Sequence, residues 1–269
     1  MNAEAGFQNY TVVPQITVSP IPDSMSFEQA AVIPLGLSTA AAGLYQKDFL
    51  KLPYPKPSSQ TSTGTSILVW GGSGSVGGNA VQLAAASGVQ VVATCSKRNF
   101  DYVKSLGATH VVDYNDSSVV DEIVKALQGT KFAGAYNSIA DEKTYKACGA
   151  VAEKLGGGIV TGTLPVPEGV DLGKGVKAKD GKFPHPQRSI ETPDETMADY
   201  CLVFAVSIAL QEPDVGNAIY RDFLPTALKS GQFKAKPDPM VTGHGLEKIQ
   251  DGFAAQKKGV SAAKVVVTL

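Results

Sequence analysis

The sequence predicts an α/β protein built on a doubly wound parallel β-sheet. Short apolar runs rich in β-branched residues alternate along most of the chain with segments of helical composition, the pattern of a parallel sheet covered by helices on both faces. A glycine-rich turn follows the first strongly apolar run. Of 269 residues, 43% are hydrophobic and 18% are charged, a composition typical of one large or two modest globular domains.

The stretch 66–99 is central to this prediction. A strand over 66–70 leads into the glycine-rich turn, GGSGSVGG at residues 71–78, and a helix rich in small residues follows over 76–86. A second apolar strand then covers 89–95. Strand, turn, helix and strand within about thirty residues form the unit that binds a dinucleotide in Rossmann-type sheets.

Within the glycine-rich turn, Gly72, Gly74 and Gly77 have the G-x-G-x-x-G spacing. The first glycine is expected to allow a sharp turn, the second to let the backbone approach a pyrophosphate, and the third to let the helix pack closely on the strand. The helix N-terminus offers unpaired N–H groups and a partial positive charge to phosphate oxygens. We therefore predict a nucleotide site here; the alternative interpretation is a tight structural turn.

The residues after the second strand indicate which dinucleotide binds. NAD-preferring sites usually carry a carboxylate there for the ribose 2′-hydroxyl, whereas this chain has Ser96, Lys97, Arg98 and Asn99. Two cations and two hydrogen-bonding side chains suit a 2′-phosphate. This basic turn (residues 96–99) therefore predicts NADP(H) as the cofactor, with a solvated turn ahead of a helix as the alternative.

Charge and hydropathy argue against several other classes of function. The formal net charge of −1 gives no support to a nucleic-acid partner. No apolar run approaches the roughly 20 residues that span a bilayer, and the N-terminus lacks the basic start and apolar core of a signal peptide. We expect a cytoplasmic protein that acts on a small-molecule substrate, without a membrane or nucleic-acid partner; a homo-oligomer and a monomer both stay open.

The cysteines argue against a disulfide framework and a metal site. Cys95, Cys148 and Cys201 are scattered, odd in number and outside any C-x-x-C pair. They are typical of small buried residues in a reducing compartment. No histidine stands near them at ligand spacing, so we predict no metal.

Before the glycine-rich unit, the sequence predicts strands, two helices and a loop. The β-rich alternation of 7–18 predicts strands, and Ser26 with a glutamine three residues later predicts a helix start with a weak capping box. Pro34 is expected to bend the small apolar segment that follows, which gives a second helix over about 37–45. Residues 52–64, rich in Pro, Ser and Thr, predict an exposed loop.

After the glycine-rich unit the α/β alternation continues. Predicted strands cover 109–114, 132–139, 159–164 and 264–269, with an extended segment over 236–241. Predicted helices cover 99–106, 116–127 with Asp116 as its cap, 141–155, 196–210, 215–229 and 246–256. Because ligands of doubly wound sheets bind at the carboxyl ends of the strands, the cleft is expected along that edge.

The segment 165–194 has no clear period and is predicted as a long loop at the carboxyl end of the fifth strand. His185 lies within it. An exposed loop histidine is the favoured interpretation, and a catalytic acid is the alternative.

Four segments carry a family resemblance: FEQAAVIPLGLSTAAAGLY, ILVWGGSGSVGGNAVQLAAASG, VVATCSKRNFDYVKSLGATHVVDY and GLEKIQDGFAAQKKGVSAAKVVV. They extend over nearly the whole chain and resemble the medium-chain dehydrogenase/reductase superfamily. Within it the chain is most similar to the zinc-independent quinone and enoyl reductases, in the fungal branch with trans-enoyl reductases and the so-called zinc-binding dehydrogenases.

The resemblance implies a second, GroES-like catalytic domain. In family members, most of this domain is formed by residues at the N-terminus. Residues 1–45 are then expected to be a remnant of that domain with connecting helices, 46–231 the NADP-binding Rossmann domain, and 232–269 a return to the catalytic domain. The implied fold is a Rossmann sheet with a partial GroES-like domain. Apolar surface over 30–44 is expected to be uncovered.

The resemblance also implies how the phosphates are held. Ser73, Gly74, Ser75 and Val76 would bind the pyrophosphate. The basic turn would bind the 2′-phosphate end, although relatives often have Ser-Pro-His-Asn there and this chain is more cationic.

The same resemblance implies contacts to the rest of the cofactor. Tyr114 would line the adenosine side, Thr39 would lie near the nicotinamide, and Ile139 and Leu164 would flank it through backbone groups. Ordinary packing in a helix or strand is the alternative for Thr39, Tyr114 and Leu164.

The implied reaction is hydride transfer from NADPH to an activated C=C bond or carbonyl, in a pocket that mainly orients the reactants. No catalytic acid is identified. Tyr45 and Tyr136 are weak candidates, since a core aromatic with a satisfied hydroxyl is the favoured interpretation of each. The alternative function is a nucleotide-binding module without turnover.

Overall fold

A computed structural model describes residues 10–58, 61–179 and 212–269. Its centre is a six-stranded sheet in the order β3-β2-β1-β4-β5-β6, in which every neighbouring pair is parallel. The strands are β1 Thr65–Trp70, β2 Gln90–Cys95, β3 His110–Asp113, β4 Lys131–Asn137, β5 Gly158–Gly162 and β6 Val176–Lys179. The predicted parallel sheet is confirmed, and its strand order is that of Rossmann-type folds.

Helices cover both faces of this sheet. They are α1 Phe27–Ala31, α2 Pro34–Tyr45, α3 Ser75–Ala86, α4 Phe100–Ser105, α5 Val119–Leu127, α6 Glu142–Lys154, α7 Pro213–Gly216, α8 Leu224–Ser230 and α9 Ile249–Lys258. A π-helical segment, Asn217–Phe223, joins α7 to α8. Short 3₁₀ turns cover Gln15–Thr17, Lys97–Asn99 and Leu246–Lys248.

The core is divided into two hydrophobic clusters, one on each face of the sheet. In β1, Ile67 and Val69 belong to the cluster formed with α2, α3, α4 and the α7–α8 segment. Leu68 and Trp70 belong to the cluster formed with α5 and α6. Because successive strand side chains point to opposite faces, one apolar strand serves both cores, as a doubly wound sheet requires.

The helix α2 is packed closely between α3 and the sheet. A Cβ atom on Gly36 would lie 2.6 Å from Ser75 Oγ, and one on Gly43 would lie 2.5 Å from a ring carbon of Tyr136. Most of its apolar side chains are therefore fully buried, and Leu35 is 38% exposed. The expectation of an uncovered apolar surface over 30–44 is wrong for most of that segment, because small residues let the neighbouring elements cover it.

Of two helix starts in the N-terminal half, that of α1 was predicted and that of α2 was not. Ser26 forms the capping box of α1 with Gln29, as predicted. The helix α2 begins at Pro34, three residues earlier than predicted. Proline fits the first helical position because its missing N–H would have no partner there.

The strands predicted over 7–18 and the helix cap predicted at Asp116 are wrong in the described residues. No strand forms over 10–18, where the chain makes only the 3₁₀ turn, while 7–9 lie outside the described residues. Alternation alone does not make a strand when no partner strand lies beside it. The helix α5 starts after Ser118, and the Asp116 carboxylate instead accepts hydrogen bonds from the backbone N–H and hydroxyl of Ser118 in the preceding turn.

The predicted loop 165–194 contains the strand β6, which pairs with β5 at the edge of the sheet. Its sequence, VKAK, is short and half polar, so it carries little of the apolar signal of the central strands. Residues 180–194 of that segment, which include His185, lie outside the described residues, as do the predicted helix 196–210 and Cys201.

A smaller parallel sheet is formed by β7 Asp238–His244 and β8 Ala263–Thr268, with α9 between them in the chain. It confirms the extended segment and the last strand predicted from the sequence. The division into residues 1–45, 46–231 and 232–269 stays a prediction. Within the described ranges, no helix has both the length and the apolar character needed to cross a membrane.

Candidate functional site

The candidate site lies where the order of the strands reverses, between β1 and β4. The glycine-rich turn leaves the carboxyl end of β1, and Ser138 and Ile139 leave that of β4. The Ser138 hydroxyl lies 2.7 Å from the carbonyl oxygen of Trp70 and 3.2 Å from that of Gly71, to which it donates. The two loops therefore form one crevice at the position where doubly wound sheets bind ligands.

The glycine-rich turn is held to β2 by Thr94. The Gly71 N–H donates to Thr94 Oγ1 at 3.1 Å, and the Gly72 N–H donates to the Thr94 carbonyl at 2.8 Å. The residue with the left-handed backbone is Gly71, at φ +87°, so the sharp turn assigned to Gly72 is made one residue earlier. Gly72 is needed for packing instead, because a Cβ there would lie 3.1 Å from the Ala93 Cβ.

The other two glycines have different surroundings. A Cβ on Gly77 would lie 2.1 Å from the Gly71 carbonyl oxygen, so only glycine allows this approach of α3 to the end of β1. Gly74 is exposed, and the atom nearest to a Cβ there is the same oxygen at 3.6 Å. The backbone at Gly74 is therefore open to a ligand.

The N-terminus of α3 fits a phosphate group. Its N-cap is Gly74, no side chain caps it, and its first turn holds no acidic residue. The first N–H groups of a helix have no intrahelical partner and carry a partial positive charge. Ser73, Ser75 and Val76, predicted to hold the pyrophosphate, line this end and are half-buried.

A cation that sequence reasoning missed lies beside this helix end. Lys264, in β8, places its Nζ 3.3 Å from Ser75 Oγ. The only signal in the sequence was a lysine before the apolar run VVV, which does not reveal the distant partner. Lys264 therefore adds a positive charge beside the N-terminus of α3.

The basic turn follows β2 directly. Lys97 and Arg98 are exposed, while Asn99 is buried and its Nδ2 donates to Ser96 Oγ at 3.3 Å and to Ser261 Oγ at 3.2 Å. Asn99 therefore also ties the main sheet to the segment before β8. The two cations are left at the surface beside the crevice, with no carboxylate among the four residues.

The neighbouring end of β3 is followed by Tyr114, which is 40% exposed; its predicted contact with the adenosine stays a prediction. Hydrogen bonds from Ser118 hold the pKa of Asp116 below its usual value, and the positive charge of Lys97 adds a smaller effect. Lys97 is thus within electrostatic reach of the Asp116 carboxylate.

The predicted nicotinamide end is less open. Thr39 is fully buried, and its hydroxyl donates to the Leu35 carbonyl at 2.8 Å. The Ile139 side chain is 42% exposed, and its N–H donates to Asn137 Oδ1 at 3.2 Å. The Leu164 carbonyl accepts the Tyr145 hydroxyl at 2.5 Å. The Ile139 N–H and the Leu164 carbonyl, which were predicted to contact the nicotinamide, thus already form hydrogen bonds within the protein.

The two weak acid candidates are core residues. The hydroxyl of Tyr45 lies 2.9 Å from Ser87 Oγ, and burial raises the pKa of Tyr45. The hydroxyl of Tyr136 donates to the Thr39 carbonyl at 3.0 Å. Both are aromatic side chains with satisfied hydroxyls, which was the favoured interpretation.

The described cysteines, Cys95 and Cys148, are free and buried. Burial and the nearby Asp113 raise the pKa of Cys95 to about 11, so its thiol is protonated at neutral pH. Among residues 10–58, 61–179 and 212–269, no three His, Cys, Asp or Glu side chains gather into a group suited to a metal ion. The absence of a metal stays a prediction.

Known proteins similar to this chain are dehydrogenases and reductases. The family model described as "Zinc-binding dehydrogenase" matches residues 75–180. The trans-enoyl reductase himH of Aspergillus japonicus is 42% identical over 265 residues, which cover 98% of this chain and 69% of that protein. The dehydrogenase pigH of Monascus ruber is 41% identical over 281 residues, which cover 100% of this chain and 72% of that protein.

Solved structures show the same fold. The CurK enoyl reductase has a TM-score of 0.62 at 23% identity, with 92% of this chain and 64% of that chain covered. The quinone oxidoreductase of Thermus thermophilus, described also in complex with NADPH, has a TM-score of 0.60 at 19% identity, with 93% and 68% covered. This chain therefore spans less than two thirds of the CurK chain. Because the matches to himH and pigH cover nearly all of this chain and more than two thirds of each relative, this chain belongs to the medium-chain dehydrogenase/reductase superfamily, among the zinc-binding dehydrogenases that include fungal trans-enoyl reductases.

Proposed function

We propose that this chain is an NADPH-dependent oxidoreductase that delivers hydride to an activated C=C bond or carbonyl. The observation that carries the proposal is the uncapped N-terminus of α3 in the crevice between β1 and β4, with Lys264 beside it and the basic turn at the end of the neighbouring strand β2. The names of the relatives, a trans-enoyl reductase and a dehydrogenase, support the class of reaction.

The chain's own residues would bind and orient the cofactor. The pyrophosphate would lie against the N–H groups of 73–76 with Lys264 beside it, and the 2′-phosphate would lie on Lys97 and Arg98. The nicotinamide would then point past Ile139 towards α2. NADPH, when bound, supplies the hydride, so the protein's contribution is to hold donor and acceptor carbons in line and to exclude water.

The cofactor part is tested with the double variant Lys97→Ala/Arg98→Ala. Hydrogen bonds to charged groups contribute about 1.5–3 kcal/mol each, and the low end applies because both side chains are exposed. Two such bonds predict a loss of about a hundredfold in NADPH affinity and little change for NADH. Fluorescence titration measures both affinities.

The matched control is Lys257→Ala/Lys258→Ala, which removes two neighbouring exposed cations at the end of α9. It should leave both affinities unchanged. An equal loss of NADPH and NADH binding in the basic-turn variant would show that this turn does not recognise the 2′-phosphate.

The reaction part is tested by NADPH oxidation with a panel of quinones and 2-enoyl thioesters. Oxidation that depends on the acceptor, and that the basic-turn variant slows, is the expected result. Tight NADPH binding without turnover on any acceptor would contradict the enzyme proposal and would support a nucleotide-binding module instead.

A further inference from the structure

Thr163 carries a buried hydroxyl for which the described residues offer no partner. The residue follows β5, is 1% exposed, and its Oγ1 accepts or donates no hydrogen bond within the described ranges. Buried hydroxyls are normally paired, because an unpaired one has lost its water without compensation. An unpaired hydroxyl near a cleft is therefore a candidate ligand contact.

Strand geometry places this side chain on the α2 face of the sheet. The Thr163 N–H donates to the Asn137 carbonyl at 3.2 Å, which continues the β4–β5 ladder past Gly162. Side chains two residues apart on a strand point to the same face. Thr161 faces α2, since a Cβ on Gly43 would lie 2.9 Å from its methyl group, and so Thr163 faces the same way.

Thr163 is also closer to the ligand edge than Thr161. The helix α2 runs antiparallel to the strands, since Gly43 packs on Tyr136 and, further towards its N-terminus, Gly36 packs on Ser75 at the start of α3. The N-terminal half of α2 therefore reaches the carboxyl edge of the sheet. Thr163 lies in the corner between that half of α2 and the loops after β4 and β5.

The chemistry of this corner suits an amide. The Ile139 N–H and one lone pair of the Leu164 carbonyl are already used by Asn137 and Tyr145. A threonine hydroxyl both donates and accepts, and a primary carboxamide offers both a carbonyl oxygen and N–H groups. We propose that the Thr163 hydroxyl hydrogen-bonds the carboxamide of the nicotinamide and so sets the orientation of that ring, an inference that rests on the proposed function.

The test separates the nicotinamide end from the rest of the cofactor. Thr163→Val keeps the shape and removes the hydroxyl, and its affinity is measured for NADPH and for 2′,5′-ADP, which lacks the nicotinamide. We expect about a three- to tenfold loss for NADPH, the effect of one neutral hydrogen bond, and no change for 2′,5′-ADP. Thr163→Ser should restore NADPH binding.

Thr161→Val is the matched control. It makes the same substitution on the same strand face, also removes a hydroxyl without a partner in the described residues, and lies against α2 away from the edge. It should leave both affinities unchanged. Thermal melting of each variant shows whether the fold is retained.

The outcomes distinguish the two proposals. Normal NADPH binding by Thr163→Val, or an equal loss for NADPH and 2′,5′-ADP, would overturn the role of Thr163 and leave the proposed function standing. Failure of the unaltered protein to bind NADPH would overturn both.

Discussion

Gly77→Ala tests whether close packing of α3 on the end of β1 stabilises the fold. The new Cβ would lie 2.1 Å from the Gly71 carbonyl oxygen, a backbone atom that no rotamer change can move. Contact without overlap needs a separation of more than about 3 Å, so helix and strand must part by roughly an ångström. Overpacking of this kind typically costs about 1–3 kcal/mol.

The matched control is Gly78→Ala, the next residue of the same helix. Both substitutions gain about the same helix propensity. At Gly78, however, the nearest atom to a new Cβ is the flexible end of Leu106 at 3.2 Å. The difference between the two variants therefore isolates the contact with Gly71.

Thermal or urea denaturation measures the effect. A loss of about 1 kcal/mol lowers the Tm of a domain of this size by about 2–4 °C. Because both variants share the gain in helix propensity, Gly77→Ala should melt about 2–12 °C below Gly78→Ala. Equal melting temperatures for the two variants would refute the packing argument.

Three further predictions concern the site and its surroundings. Gly74→Ala should leave the Tm unchanged, because a Cβ there is 3.6 Å from its nearest neighbour, and should weaken NADPH and NADH alike; intact binding would show that no phosphate approaches this residue. Lys264→Met should lower both affinities by about tenfold, the value of one charge-assisted bond, and a loss confined to NADPH would place the lysine elsewhere. The free energy of unfolding should fall between about pH 9 and 11, since burial raises the pKa of Cys95 from 9.0 to about 11 and only the unfolded chain then releases the proton. Cys95→Ala should make that fall shallower in urea denaturation, and an identical slope would contradict the assignment.

The order and type of the central elements were predictable because their signals are local. Long apolar runs between glycines predicted β1, β2, β4 and β5 to within about two residues at most boundaries, as periodicity and turn chemistry allow. The strand β6 was missed because an edge strand of four half-polar residues has no such signal. The strands expected over 7–18 failed in the described part, 10–18, because a strand needs a partner that its own sequence does not specify.

In the glycine-rich turn, too, the sequence predicted one feature correctly and another incorrectly, here at single residues. Its spacing predicted close packing at Gly77, and the contact with Gly71 confirms it. The spacing also assigned the sharp turn to Gly72, whereas the positive φ is at Gly71. Local sequence identifies the turn, but the path of β1 and its bonds to Thr94 decide which glycine adopts the left-handed conformation.

By itself, the sequence determined that this protein has a parallel α/β sheet, a glycine-rich turn suited to a dinucleotide, and a basic turn after β2. Only the tertiary structure decided which distant residues complete the crevice. Lys264 hydrogen-bonds Ser75, Ser138 hydrogen-bonds the end of β1, and the buried hydroxyl of Thr163 has no partner among the described residues. Such contacts join residues far apart in the chain, so they depend on how strands and helices pack and not on any local pattern.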